Sequence, residues 1–451
     1  MEIKFHTGAE IRKRLNEQKR SVLWLVEETG CDNSSLGRRL NNLKHLILTG
    51  VILCFICNAC SHSAKNVEDD YIHQIDVMAN LANTRTIYLS EIASNIEYSV
   101  LETDKKCLVS PNMFIHCSKE HIVAIGSQTV NNDVCYVFER TTGNFLRQIS
   151  RLGRGPGEYQ SVKADFWDCN KEQICLLGNH QYLFYNLDGT LSHQTNMFKR
   201  RIEHFLAFED FYVGYATNHL GDNTVRIAFY DMTGAMIDSI PNHRTWERTR
   251  QEIVRMGYDS WLYTFKDNLY FKELYCATLY QINDFMLKPR YVFNTNGRTV
   301  PYEAQEKGRW DFMASLTNGG VSVDLYENYV NILKIFEDNN FLYFTIEYRN
   351  QLYPAYYDKV AEKLQTMTSI SIPPRTGRGW KIPLYGFQND LDGGLPFWPQ
   401  QMISDKEMMC VYTAEELLVL DTSIIIDEKL KKVLNNLNEE SNPVVAIVTL
   451  K

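Results

Sequence analysis

From about residue 84 to its end the chain alternates short apolar runs with polar turns. Six stretches share one layout, an apolar run ending in an aromatic, a polar turn and a second run: VFERTTGNF, FYNLDGTL, FYDMTGAM, LYQINDFM, YYDKVAEK and VYTAEELL. Their aromatics, Phe138, Tyr185, Tyr230, Tyr280, Tyr357 and Tyr412, stand 47, 45, 50, 77 and 55 residues apart. The first three intervals match the length of one four-stranded propeller blade. Thr142-Gly143, Asp188-Gly189 and Thr233-Gly234 supply hairpin chemistry, because glycine takes positive φ without a Cβ clash. Further strands precede the aromatics in HIVAIGS, QICLLGN, NLYFKEL and FLYFTIEY, and IEYSVLET and VVAIVTL lie near the two ends. The pattern predicts an all-β fold over 84–451, a six-bladed β-propeller of four-stranded antiparallel blades. Such a ring closes by pairing its two ends in one blade, and Pro443 to Leu450 is expected to contribute.

Two stretches break the alternation. Within 296–320, which accounts for the 77-residue interval, Tyr302 to Leu316 has helical composition and reads as an insertion on one face. Asp427 to Glu440 reads as a second helical piece before the closing strand.

The first 83 residues follow other patterns. Residues 1–42 read as three short helices: Ile11 and Leu15 share a face, Ser21 caps a second helix and Gly30 ends it, and Leu36 and Leu40 share a third face. This resembles the helix-turn-helix start of small bacterial DNA-binding proteins. Leu46 to Ala59 then carries fourteen residues without a charge. At 1.5 Å per residue that is too short for a hydrocarbon core of roughly 30 Å. With Lys44 and His45 before it and Ala59-Cys60 after it, the segment 43–60 resembles a bacterial lipoprotein signal, with Cys60 the lipid attachment site. Cys57 stands where Leu is usual, and Asn58 is an uncommon neighbour. Two explanations of the preceding residues stay open. Translation can begin near Leu43, or the chain is a single-span regulator with DNA-binding helices inside and a propeller sensor outside. Residues 61–83 read as a linker.

Composition sharpens the picture at three points. Aromatics make up 12% of the chain, with 26 Tyr and 22 Phe, which suits strands whose rings pack across neighbours. The net charge of -8 is uneven: nine Lys+Arg face six Asp+Glu up to His45, leaving 38 against 49 beyond it, and so acidic a body has no whole-domain attraction for nucleic acid. Of eleven cysteines, seven follow the signal (Cys107, Cys117, Cys135, Cys169, Cys175, Cys276 and Cys410), an odd number without metal-ligand spacing, as expected of small buried hydrophobes.

RLGRGPGEY, Arg151 to Tyr159, lies between two blades and resembles the signature of six-bladed β-propeller lipoproteins of Gram-negative gut-type bacteria, distantly similar to NHL-repeat and TolB-like propellers. SNPVVAIVTLK matches the usual ending of that family. The resemblance spans Thr84 to Lys451. It implies the fold and an outer-membrane lipoprotein of the bacterial envelope, facing the periplasm or the cell surface; it leaves activity open.

RLGRGPGEY lacks the Gly-Lys-Ser/Thr ending of a phosphate loop, and its glycines alternate at Gly153, Gly155 and Gly157. One reading is structural: Gly and Pro turn the chain while Arg151, Arg154 and Glu158 pair across blades. The other is a rim loop for an anionic or sugar ligand, with Arg donors and Tyr159 as a stacking face. PPRTGRGW repeats the theme with Arg375, Arg378 and Trp380. Trp398 in LPFWPQQ suits a sugar platform or a packed interblade loop. No G-x-S-x-G, H-E-x-x-H or sialidase Asp box occurs, and His116 and His121 read as strand-face residues. The sequence calls for no cofactor, metal or catalytic residue. It points to a non-catalytic binding or scaffold protein, lipid-anchored to the membrane, for a saccharide, a peptide or an envelope protein. A propeller hydrolase or lyase is the remaining alternative.

Overall fold

Along the strand Asn132–Glu139 successive side chains divide between two cores: Val134, Tyr136 and Phe138 enter one, Cys135 and Val137 the other. Gln181–Asn186 does the same, with Leu183 and Tyr185 on one side and Tyr182 and Phe184 on the other. Side chains alternate along a strand, so a run that is apolar throughout fits a sheet covered on both faces. Repeated six times around an axis, this arrangement produces the fold of the protein.

The computed structural model describes residues 71–451, apart from 112, 130–131, 163–166, 169–170, 200–201, 217, 219–222, 244, 246–259, 274, 301–326, 373–381, 422–424 and 426. The helix-turn-helix-like segment 1–42, the signal with Cys60, the helix expected at Tyr302 to Leu316, and Arg375, Arg378 and Trp380 therefore lie outside the described residues.

Six antiparallel sheets form a six-bladed propeller. From axis to periphery, blade 1 is Phe114–Cys117, His121–Thr129, Asn132–Glu139 and Phe145–Gln148; blade 2 is Trp167–Asp168, Gln173–Leu177, Gln181–Asn186 and Leu191–Asn196. Blade 3 is Ile202–Phe208, Phe211–Ala216, Val225–Asp231 and Met236–Pro241; blade 4 is Ser260–Phe265, Asn268–Glu273, Thr278–Asn283 and Met286–Asn294. Blade 5 is Asn331–Glu337, Phe341–Tyr348, Gln351–Asp358 and Lys363–Thr366. Blade 6 takes Gln401–Met402, Glu407–Tyr412 and Val444–Leu450 from the end of the chain and Ala93–Val100 from near its beginning. Val444 lies opposite Val100 and Leu450 opposite Ala93, so the expected closure by Pro443 to Leu450 is realised through Val444–Leu450.

Six hydrophobic clusters among the described residues correspond to the six interfaces between neighbouring blades. Side chains divided this way hold each sheet from both faces, and the ring loses apolar burial twice for each blade that fails to form. Hairpin glycines earn their place by geometry. Gly143 has φ +74°, and a Cβ there would stand 1.9 Å from the Val100 carbonyl oxygen, where the turn of blade 1 meets the closing blade.

Three expectations need correction. Residues 61–83 are not only a linker: His73–Asp76 adds a fifth, parallel strand outside Met286–Asn294, and Val77–Asn80 forms a helical turn with Asp76 Oδ1 accepting from Ala79 N at 3.2 Å. VYTAEELL is not a hairpin. Thr413 and Glu416 form a reciprocal capping box that starts a helix at Ala414–Leu418, satisfying backbone groups that a strand would have paired elsewhere. Finally, Tyr412 lies on the second strand of its blade, whereas the other five repeat aromatics lie on third strands. The helix expected in 427–440 is present as Glu428–Asn435, with Asp427 as its N-cap and Leu430 and Leu434 buried against blades 5 and 6.

Candidate binding site

Strand alternation sorts the loops onto two rims. Connections from one blade to the next, including 149–166, 242–259, 295–330 and 372–400, leave from the rim where the innermost strands begin, as does 413–443 within blade 6. The opposite rim is built of turns such as Lys266-Asp267 and Asp284-Phe285. Long connections concentrate recognition chemistry in folds of this kind, and the RLGRGPGEY loop lies on the looped rim.

The RLGRGPGEY loop is organised by its own glutamate. Glu158 Oε1 accepts from Arg151 Nε at 2.6 Å, and Oε2 accepts from Gly155 N at 2.7 Å. These two donors hold the carboxyl below its ordinary range, the Gly155 amide foremost. The Arg151–Glu158 pair is thus within the loop and joins no blades. The glycines make room for the carboxylate: a Cβ on Gly153 would stand 2.0 Å from Glu158 Oε2. Tyr159 is wholly buried in the core between blades 1 and 2, its hydroxyl donating to the Asp133 carbonyl at 2.8 Å. Its ring is therefore used for packing and presents no stacking face. Trp398 is likewise taken up by the core of blades 5 and 6, stacked on Phe387 with ring centroids 5.8 Å apart. What this loop offers to solvent is the Arg151 side chain, 80% exposed, and exposed Arg154.

The innermost strands meet around the axis. Those of blades 2 to 6 abut in turn, His116 of blade 1 stacks on Trp167 of blade 2 at 5.8 Å, and Gln401 of blade 6 bonds Cys117 of blade 1. Polar side chains stitch every interface. His121 Nδ1 lies 3.1 Å from Glu172 Oε1, which also accepts from the Ser118 hydroxyl, joining blades 1 and 2; His193 Nε2 lies 2.8 Å from the Tyr212 hydroxyl between blades 2 and 3. Arg226 pairs with Glu273 between blades 3 and 4, and Tyr263 donates to Glu337 at 2.8 Å between blades 4 and 5. Asn339 donates to Asp405 at 3.1 Å between blades 5 and 6, and Arg140 grips both oxygens of Glu407, at 2.5 and 3.2 Å, between blades 6 and 1.

This layout has a chemical consequence. The Ser118 hydroxyl donates to Glu172, and His121 turns its ring to that same carboxylate, so the three tie the Ser118–His121 turn of blade 1 to blade 2. Glu337 accepts from Tyr263 and Tyr291 and pairs with Lys359 at 2.6 Å. Asp338 is pushed above its usual range by burial, with the Tyr343 hydroxyl donating to it at 2.7 Å. Among the described residues no group of three or more His, Cys, Asp or Glu is placed to hold a metal ion. Six described cysteines, Cys107, Cys117, Cys135, Cys175, Cys276 and Cys410, are buried.

Two side chains of the innermost strands were not singled out by sequence. They are Gln401, within LPFWPQQ, and Lys334; the spacing of the sequence carries no sign of the position either takes.

A domain-family profile, the domain of unknown function DUF4934, matches residues 72–449. The chain belongs to this family. Among solved structures, the DUF4934 protein is similar to a "putative exported protein" from Bacteroides fragilis NCTC 9343, at 20% identity over 84% of this chain and 100% of that one, with a TM-score of 0.57. It is also matched to a member of the DUF4221 family from Bacteroides vulgatus, at 9% identity over 80% and 97% of the two chains, with a TM-score of 0.39. The first likeness bears on the fold alone. A search of curated proteins finds no match.

Proposed function

We propose that this DUF4934 protein is exported, lipid-anchored through Cys60 and acts in the bacterial envelope by binding, without chemistry of its own. The observation that carries the reading is the use made of its titratable groups. Cross-blade pairs such as Arg140–Glu407, Arg226–Glu273 and Tyr263–Glu337 spend them on holding the ring, while the long connections gather on one rim. A ring with long connections on one rim suits recognition of a saccharide, a peptide or an envelope protein, with exposed Arg151 and Arg154 of that rim, and with Arg375, Arg378 and Trp380, as the residues proposed to meet it. Export is supported by the sequence of 43–60, whose charge-free run ends at Ala59-Cys60.

Two measurements test this. Mass analysis of the N-terminus of protein taken from native membranes is expected to find a diacylated Cys60; protein that retains Met1 through Asn42 sinks the anchor. The full chain in detergent, applied to an array of glycans and cell-wall peptides, is expected to retain a ligand whose mass does not change on elution. Cleavage of the retained ligand removes the non-catalytic reading.

A further inference from the structure

We propose that the bore of the propeller holds an oxyanion at Lys334, so that the ligand presents a carboxylate, phosphate or sulfate group to the axis. This deepens the binding reading above and rests on it.

Lys334 lies midway along Asn331–Glu337, the innermost strand of blade 5, and its side chain is exposed. An exposed residue in the middle of an innermost strand opens onto the bore. Other cations drawn into the ring have acceptors: Arg140 has Glu407, Arg226 has Glu273, Lys359 has Glu337, and Lys272 has two backbone carbonyls. Lys334 has no hydrogen bond or ion pair among the described residues. Burial by the surrounding walls lowers its pKa, and no carboxylate acts against that shift. An ammonium that touches water yet is desolvated by its surroundings sits in a walled, wet space, and an unpaired charge in such a space costs free energy.

The backbone supplies an independent observation. Lys334 has φ +44°, in the left-handed region, and the ladder to Phe341–Tyr348 slips between Leu333 and Phe336. A non-glycine residue held there is strained, and a bulge of this kind re-aims a side chain. Strain and an uncompensated charge thus fall on one residue. An uncharged residue would relieve the charge and a glycine the strain, so a lysine at this position is accounted for by a partner that arrives from solution. In a ring of six, blade 2 stands across the axis from blade 5, which sets the stacked His116–Trp167 pair on the far side of the bore from Lys334.

The test is a thermal-shift and calorimetric titration of the full chain in detergent with sodium sulfate and with trigalacturonate, at constant ionic strength set by chloride, beside neutral galactotriose. Either oxyanion probe is expected to raise the unfolding temperature of the parent protein. Lys334→Asn, which keeps a residue tolerant of the left-handed backbone, is expected to weaken binding about tenfold or more, and Lys334→Arg to retain it. Lys334→Met serves should the asparagine variant fail to fold. Equal shifts in parent and Lys334→Asn, or none with either anion, overturn the site. Retention of a neutral glycan or a peptide by Lys334→Asn at parental affinity overturns it too while leaving the binding reading intact; cleavage of a retained ligand removes that reading and leaves the sulfate titration to stand or fall by itself.

Discussion

The side-chain amide of Gln401 pairs with both backbone groups of Cys117: Oε1 accepts from Cys117 N at 2.9 Å, and Nε2 donates to Cys117 O at 2.7 Å. One side chain thereby reproduces a β-bridge between the innermost strands of blades 6 and 1. The join matters because blade 6 is the only blade among the six built from both ends of the chain. Its outer half is sealed by seven residues of backbone pairing, Val444–Leu450 against Ala93–Val100, whereas Gln401–Met402 gives its inner edge a strand of two residues. Gln401 reinforces the weak end.

Gln401→Leu keeps the volume and removes both bonds to Cys117. A buried polar group that loses a hydrogen-bond partner costs about 1–3 kcal/mol. Urea denaturation is expected to register a loss in that range, with an unchanged slope. A loss below about 0.5 kcal/mol, the scatter of ordinary surface substitutions, would mean that solvent takes over the amide's role.

In the RLGRGPGEY loop the prediction concerns coupling. Gly153→Ala drives a Cβ into Glu158 Oε2, so the carboxylate must leave Arg151 and Gly155. The midpoint of thermal unfolding is expected to fall by on the order of 2 °C. In a Glu158→Ala background the same glycine substitution is expected to cost much less, the mark of two residues that share one interaction. The sign with pH follows from the depressed carboxyl: the contribution is complete above the ordinary glutamate range and is lost as pH falls through the lowered value. Gly153→Ala and the parent should therefore converge in acid. Additive effects at neutral pH would show that Gly153 serves something other than Glu158.

The five aromatics from Phe138 to Tyr357 could be read from sequence because each precedes a local turn, and strand, turn and strand are contiguous. Tyr412 misled, since its partner strand begins at Val444, beyond two helices, and the hairpin signal was borrowed by the capping box Thr413–Glu416. His73–Asp76 escaped notice for a related reason: a four-residue parallel edge strand has no local partner, and only its register with Tyr291 to Asn294 defines it. At the site, glycine spacing announced a turn, but nothing in the spacing said that Glu158 would face inward and Arg154 outward. Lys334 depends on a bulge, and periodicity gives no warning of a bulge.

Closure of the ring makes a sharper demand on single positions. Val444, Val445, Ala446 and Val448 are fully buried, and Thr449 is the partly exposed position of the last strand. Ala446→Asp would set a carboxylate beside Met408 and Cys410 in the core of blades 5 and 6, and an unpaired buried charge costs several kcal/mol. The variant is expected to lose its cooperative unfolding transition and to be digested by trypsin throughout, while Thr449→Asp keeps both the transition and resistance. A folded Ala446→Asp would mean that the ring tolerates an open seam.

The strongest pH signature is assigned to Lys272, whose side chain is buried between blades 4 and 5 with Nζ donating to the Glu273 carbonyl at 2.7 Å and the Ile332 carbonyl at 3.5 Å. Burial pushes it down to about 8 from an ordinary 10.5, and the nearby Cys276 and Glu273 only partly oppose that shift. The folded state thus binds this proton less readily than the unfolded one. Below about pH 8 the fold carries the full cost of the ammonium; between about 8 and 10.5 that cost is relieved and stability rises with pH, by about 2–4 kcal/mol for a shift of this size. Other groups titrate in the same window, notably tyrosines, so the comparison is with Lys272→Met. Losing two donor contacts offsets the whole curve of that variant without bending it. The stability of Lys272→Met relative to the parent, from urea unfolding at pH 7, 8, 9 and 10, is expected to be most favourable at pH 7 and to decline steadily toward pH 10. A difference that does not change with pH would mean that Lys272 stays charged throughout, held by its carbonyls more strongly than burial opposes it.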